Sequence, residues 1–170
     1  QELYPIFRCA QQNWNSLNMP SNNINSYLHV MHWNCQGITN FYQSVQLHLF
    51  LKENNIDILL FNVTFLKANH TFKLSGYSVY RKDRTSHGGG VAIAVRSTLE
   101  HKWEISFDTK IFENICISME ICNRKVLFIA AYCPRYTDDF VSDLNLLTSA
   151  SCDFFILGDL NSHHISWNCP

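Results

Sequence analysis

Ile115, Ile117, Met119 and Ile121 occupy every second position, with Cys116, Ser118 and Glu120 between them. Apolar residues at that spacing place one face of a pleated strand in a core, a period no helix can use. Cys122, Asn123 and Arg124 follow as a turn, and residues 125–132 return with Val126, Leu127, Phe128, Ile129 and Ala130. An antiparallel hairpin is therefore predicted. A hairpin cannot bury its own apolar face, so the rest of the chain must cover it.

The flanking segments supply that cover. Residues 29–34 read as a short strand. Residues 41–55 read as a substantially buried helix, with Val45, Leu49 and Lys52 near one side and Leu47 and Leu51 added. Residues 57–61 form a continuous apolar run of strand length. Further strands are expected at 76–80 and at 88–95, the latter opening on Gly88, Gly89 and Gly90. Residues 138–150 read as a helix with Phe140, Val141, Leu144 and Leu147 inward, and 153–157 as another apolar strand. Strand-helix-strand units mixed with hairpins predict an α/β layered domain with a mixed sheet, not a purely parallel doubly wound one. Residues 1–28, rich in Gln, Asn and Ser, read as a polar leader or linker, and 28–170 as the domain.

Composition narrows the function. With 170 residues, 46% of them hydrophobic, one sizeable core is affordable. A net charge of -1 and only 16% charged residues provide no broad positive field, so any nucleic-acid contact must be local. The apolar stretches at 58–61 and 91–95 are far shorter than a membrane span, so no membrane association is expected. No signal-peptide pattern opens the chain. Seven cysteines, an odd number without a CxxC pair, suit reduced intracellular thiols better than a disulfide framework.

The sharpest candidate for chemistry is Phe154-Phe155-Ile156-Leu157-Gly158-Asp159-Leu160-Asn161. An apolar strand stops at Gly and delivers a carboxylate and an amide two residues apart. Such a pair can hold Mg²⁺, orient water or grip a phosphate oxygen. The same residues can equally form an Asx turn that closes a strand. His163, His164 and Cys169 lack the spacing and the fourth ligand of a zinc site, and none is expected. His87-Gly88-Gly89-Gly90 is like an oxyanion loop, but no GxSxG elbow accompanies it, so a glycine turn before a strand is the expectation. His29, His32, Asn34 and Tyr132 can also be polar groups satisfied within a core.

Five segments in order carry a family resemblance: Met31-His32-Trp33-Asn34-Cys35-Gln36-Gly37, the run from Asp57 through Asn62-Val63-Thr64 to Leu66, Gly88-Gly89-Gly90-Val91-Ala92-Ile93, Ala131-Tyr132-Cys133-Pro134, and Gly158-Asp159-Leu160-Asn161-Ser162-His163-His164. The chain resembles the endonuclease/exonuclease/phosphatase domain, of the apurinic-endonuclease-like type found in non-LTR retrotransposons such as jockey-like elements. Trp167 fits the arthropod version. The likeness spans 28–170. It implies a four-layered α/β sandwich with mixed sheets, and Mg²⁺-dependent phosphodiester cleavage that nicks target DNA. By this resemblance Asn34, Tyr132, Asp159 and Asn161 are catalytic, with Asn34 and Asp159 also toward the metal. Asn34 would orient the carboxylate or a phosphate, and Tyr132 would stabilise charge on the scissile phosphate. Asp159 would activate or position the attacking water, and Asn161 would hold a phosphate oxygen. Asn161, His163 and Arg84 are candidate nucleic-acid contacts.

Two departures accompany the likeness. Where the family has Gln-Glu-Thr this chain has Asn62-Val63-Thr64, so the metal-binding Glu is replaced by a side chain without oxygen. The family's later strands and closing Ser-Asp-His segment do not occur, so the sandwich is expected to be incomplete at its C-terminus, with strand edges unpaired and a marginal fold. The implied partners are DNA and a reverse transcriptase domain in a parent polyprotein, and the implied location is the nucleus. Two other readings stay open: a noncatalytic nucleic-acid- or protein-binding relic, and a phosphatase-like phosphoesterase. Arg81, Lys82, Arg84, Arg96 and Arg135 are either phosphate contacts or solvated surface charges.

Overall fold

A computed structural model describes residues 28–86 and 88–162 of the chain. Strands β1 (Val30–Asn34) and β2 (Ile58–Asn62) pair in parallel, Val30 opposite Ile58 and Asn34 opposite Asn62. Parallel neighbours need a crossover, and helix α1 (Phe41–Glu53) supplies it. Asn40 caps its start, its side chain accepting the Tyr42 N–H at 2.9 Å. The helix ends in a left-handed Asn55 (φ 51°), which lets the Ile56 N–H reach the Leu51 carbonyl at 2.9 Å.

Strands β3 (Tyr77–Lys82) and β4 (Val91–Arg96) complete the first sheet in the order β1-β2-β4-β3, with β4 antiparallel to both neighbours. The second sheet runs β5 (Lys102–Glu104), β6 (Glu113–Ile121), β7 (Arg124–Tyr132) and β8 (Asp153–Asp159). β6 and β7 form the expected hairpin. Its loop is two residues, Cys122 and Asn123, both at positive φ (51° and 59°), the handedness that matches strand twist, and Arg124 already belongs to β7. β7 and β8 are parallel and joined through helix α2 (Phe140–Leu147), so each sheet contains one strand-helix-strand unit.

Three apolar clusters separate four layers. Leu47 and Leu51 of α1 pack with Met31, Leu59, Phe61, Ala92 and Ala94 on the outer face of the first sheet. Between the sheets lie Ile58, Leu60 and Ile93 from one side and Ile115, Ile117, Met119 and Phe128 from the other. Phe140 and Leu147 of α2 close over Cys116, Leu127 and Ile129. This is the four-layered α/β sandwich with mixed sheets that the resemblance implied. It explains the unbroken apolar runs of β2 and β4: both faces of those strands are covered.

Several expectations change. Val45 and Leu49 are exposed, and α1 is seated by Leu47 and Leu51. The helix is apolar on nearly every side, so its sequence does not select a buried face. On α2, Val141 points to solvent while Phe140 and Leu147 are buried. β6 carries the expected buried parity, but Cys116 and Ser118 on its other face are buried too, because α2 and neighbouring loops cover that face. β5 was not expected. Among the described residues no disulfide forms and no helix is long and apolar enough to cross a membrane. Residues 1–27 of the expected leader lie outside the described residues. The edge strands are β1 and β3 in one sheet and β5 and β8 in the other.

Candidate functional site

The strand registers collect polar residues at one end of the sandwich. Across the second sheet, Glu113 is opposite Tyr132 and Tyr132 opposite Asp159. Across the first, Asn34 is opposite Asn62. The two rows are tied together: the Asn34 side-chain N–H donates to Asp159 Oδ2 at 2.7 Å, and the Asn62 side-chain N–H donates to the Ala131 carbonyl at 3.4 Å. The sheets meet in hydrogen bonds here and in hydrocarbon below.

Asp159 is held from both sides. Its Oδ1 accepts the Asn161 backbone N–H at 3.1 Å, which is the Asx turn weighed from sequence, while Oδ2 faces Asn34. Turn and site are therefore the same structure. Asn161, itself at φ 46°, sends its side-chain N–H to the Cys133 carbonyl at 2.7 Å; among the described residues its second N–H and its oxygen are left for other partners. Gly158 makes this possible. A Cβ there would sit 1.7 Å from the Ala131 carbonyl oxygen, so only glycine lets β8 approach β7 this closely.

The four residues that the resemblance implied as catalytic, Asn34, Tyr132, Asp159 and Asn161, thus lie together at this end. Burial pushes the Tyr132 hydroxyl's pKa up, and the negative charges of Asp159 and Glu113 add to this against the opposing charge of Arg84. Tyr132 accordingly remains a protonated donor at neutral pH. His32 joins from β1, its ring Nε2 3.2 Å from Asn62 Oδ1, and burial pushes its pKa down against the Asn62 bond and the Asp159 charge. His163 lies outside the described residues. Arg84 is 3.2 Å from Glu113, and Arg96 is tied to Asp57 at 2.9 Å and to the Ile56 carbonyl at 3.0 Å, away from the polar end. Arg81 is engaged with Asp83 and with the carbonyls of Lys67 and His70.

Sequence reading missed Glu113, Asn62 and His32 as members of this end. The register could have found the first, because counting back from a two-residue turn sets Glu113 opposite Tyr132. Val63, where the resemblance leads one to expect Glu, adopts φ 57°. A β-branched residue is a strained occupant of that region, at an order of 1–3 kcal/mol.

For a divalent cation the donor set is thin. Among the described residues Asn34 Oδ1 is a buried oxygen without a hydrogen-bond partner, adjacent to the Asp159 carboxylate. Both are hard oxygen donors of the type Mg²⁺ takes, and Mg²⁺ commonly retains waters around one or two protein carboxylates. Val63 adds nothing, and no group of three His, Cys, Asp or Glu side chains gathers among the described residues.

Two mixed sheets packed face to face between helices, with a carboxylate, amides and a tyrosine at one end, define the class of this molecule. The chain belongs to the Endonuclease/Exonuclease/phosphatase family, whose sequence model matches residues 31–170. Among curated proteins it is 29% identical over 146 residues to "Probable RNA-directed DNA polymerase from transposon X-element" of Drosophila melanogaster, covering 82% of this chain and 16% of that protein. It is 28% identical over 141 residues to "RNA-directed DNA polymerase from mobile element jockey" of the same organism, covering 81% and 15%. The chain thus spans about a sixth of these relatives' length. Among solved structures it resembles the endonuclease domain of TRAS1, a telomere-specific non-LTR retrotransposon, with a TM-score of 0.59 at 13% identity, covering 82% of this chain and 62% of that one. The D. rerio TDP2 structure complexed with single-strand DNA product gives 0.56 at 14% identity, covering 83% and 63%.

Proposed function

We propose that this chain is part of the DNA-nicking endonuclease domain of a non-LTR retrotransposon protein, and that it hydrolyses phosphodiesters weakly. The observation that carries the reading is the Asn34–Asp159 hydrogen bond, 2.7 Å long and in register with Tyr132, in a chain of this family. Asp159 receives the proton of an attacking water while Asn34 fixes its orientation; the water oxygen bonds to phosphorus as the bond to the leaving sugar oxygen breaks, and that oxygen takes a proton from solvent. Tyr132, protonated, donates to the phosphate oxygen on which charge develops, and Asn161 holds a second oxygen with its remaining N–H. Asn34 Oδ1 and Asp159 are the residues that would hold Mg²⁺, which would supply charge neutralisation at the phosphate. The lack of a carboxylate at Val63 lowers both its affinity and the rate.

The relatives' names support a parent protein that carries an RNA-directed DNA polymerase, and a nuclease of this kind must reach chromosomal DNA in the nucleus. Residues 1–28 are read as a polar leader or linker.

Val63 favours a second reading, a noncatalytic descendant that binds nucleic acid or protein. Nicking of supercoiled DNA decides between them. Mg²⁺-dependent nicking that disappears in Asp159→Ala supports the nuclease. DNA binding without Mg²⁺ and without nicking supports the relic, and hydrolysis of a phosphomonoester without nicking points to a phosphatase-like enzyme.

A further inference from the structure

Glu113 was given no contact with the reacting groups above and acts on Tyr132 only through its charge, yet it is placed at the polar end and engaged through both oxygens. Its Oε2 accepts the Gly90 N–H at 2.5 Å and its Oε1 faces Arg84 Nε at 3.2 Å. Its side chain is 19% exposed and that of Arg84 36%. The contact with Glu113 is made through Nε, the inner nitrogen of the guanidinium, and not through its two terminal amino groups. A guanidinium ion-paired through its inner nitrogen leaves its outer donors for another acceptor, and its rigid planar fork ties their direction to that pairing.

The loop that carries Arg84 is fastened from behind. Lys67 Nζ donates to three successive carbonyls, those of Arg84 (3.1 Å), Thr85 (3.3 Å) and Ser86 (2.5 Å). Gly89, at φ 68°, leaves room for the pair: a Cβ there would lie 2.7 Å from both Arg84 Cδ and Glu113 Oε1. A backbone cage, a glycine and a carboxylate therefore all act on one arginine.

We infer that Glu113 is a positioning residue that aims Arg84 at a backbone phosphate flanking the one at Asp159 on bound duplex DNA. Glu113 and Asp159 are two strands apart in the second sheet, roughly 10 Å, so Arg84 serves a neighbouring phosphate and not the reacting one. The inference rests on the DNA-directed reading above.

The test is binding of the full chain to a short DNA duplex in EDTA across a range of salt, so that no turnover enters. Arg84→Gln should weaken binding roughly tenfold, the loss expected for one charge-assisted contact. It should also reduce the slope of log K against log salt by about 0.9. Glu113→Gln is the decisive variant. It removes a negative charge near DNA, so charge alone predicts tighter binding, whereas loss of aim predicts weaker binding. Gln retains an oxygen for the Gly90 N–H. In the Arg84→Gln background, Glu113→Gln should have no further effect, because it acts only through the arginine. Should Glu113→Gln not fold, Arg84→Lys serves in its place: it keeps the charge and the salt slope while affinity falls several-fold. Equal or tighter binding by Glu113→Gln, or an unchanged slope in Arg84→Gln, overturns the inference and leaves the nuclease reading standing. Failure of the unmodified chain to bind DNA at any salt overturns both.

Discussion

Asn34 and Asp159, 125 residues apart in sequence, are joined by a 2.7 Å hydrogen bond that crosses from one sheet to the other. One comes from the end of β1 and the other from the end of β8, so the bond forms only when both sheets are folded and correctly stacked. Charge-assisted hydrogen bonds of this type contribute about 1.5–3 kcal/mol when shielded from water.

Partial exposure of both residues puts the expected coupling at the low end of that range. A double-mutant cycle of Asn34→Ala and Asp159→Ala, read by urea unfolding, should give an interaction energy of about 1–2 kcal/mol. Additive single effects would mean that the bond contributes nothing to the fold.

Gly158 should tolerate no side chain. Because a Cβ would lie 1.7 Å from a backbone oxygen of β7, Gly158→Ala must push the parallel pair apart at Asp159. A loss of about 3 kcal/mol or more is expected, the upper part of the range for overpacking. The unfolding midpoint and its slope measure it. A change within about 0.5 kcal/mol, typical of a neutral surface substitution, would contradict the tight approach.

Val63→Glu returns a carboxylate to the family's position and removes β-branching from a residue at φ 57°. The variant should be stabilised by Mg²⁺ where the parent chain is nearly indifferent. At a hundredfold excess over Kd the gain is about 2.7 kcal/mol, visible as a Mg²⁺-dependent rise in Tm. Equal responses of the two chains to Mg²⁺ would show that position 63 does not reach the cation.

Stability should form a plateau bounded on both sides in pH. Burial pushes the Cys35 thiol up to about 11 and the Cys116 thiol up to about 12, from an ordinary 9.0. The unfolded thiols ionise first, so stability is unaffected below about pH 9 and falls as pH rises from there toward 11 and 12. On the acid side, burial holds the His32 pKa below its ordinary 6.5. The unfolded chain therefore takes that proton first, and stability declines as pH drops below 6.5. Urea unfolding over a pH series should show the alkaline limb flattened in Cys116→Val and the acid limb flattened in His32→Gln.

The strands were legible wherever burial imposed a pattern. Ile115 to Ile121 alternates because one parity lines the inter-sheet core, and Ile58 to Phe61 is continuous because both faces are covered. β5 left no mark: Lys102, Trp103 and Glu104 are a short edge segment, two of them exposed. Nor did α1 disclose its buried side, since Val45 and Leu49 are as apolar as Leu47 and Leu51. Asp159 and Asn161 were visible as a carboxylate-amide pair, but periodicity cannot bring Asn34 to them across 125 residues of chain, and only the resemblance did. Glu113 escaped notice because a polar residue at the start of an amphipathic strand is unremarkable until its cross-strand neighbour is known.

The packed hydrocarbon between the sheets has a role beyond stability. Asn34 and Asp159 ride on opposite slabs, and the thickness of the filling formed by Leu60, Ile93, Ile117 and Phe128 sets how far apart those slabs stand. The core is in effect a spacer gauge for the site. A methylene added or removed far from any polar atom would be read out as a lengthened or compressed hydrogen bond at the rim.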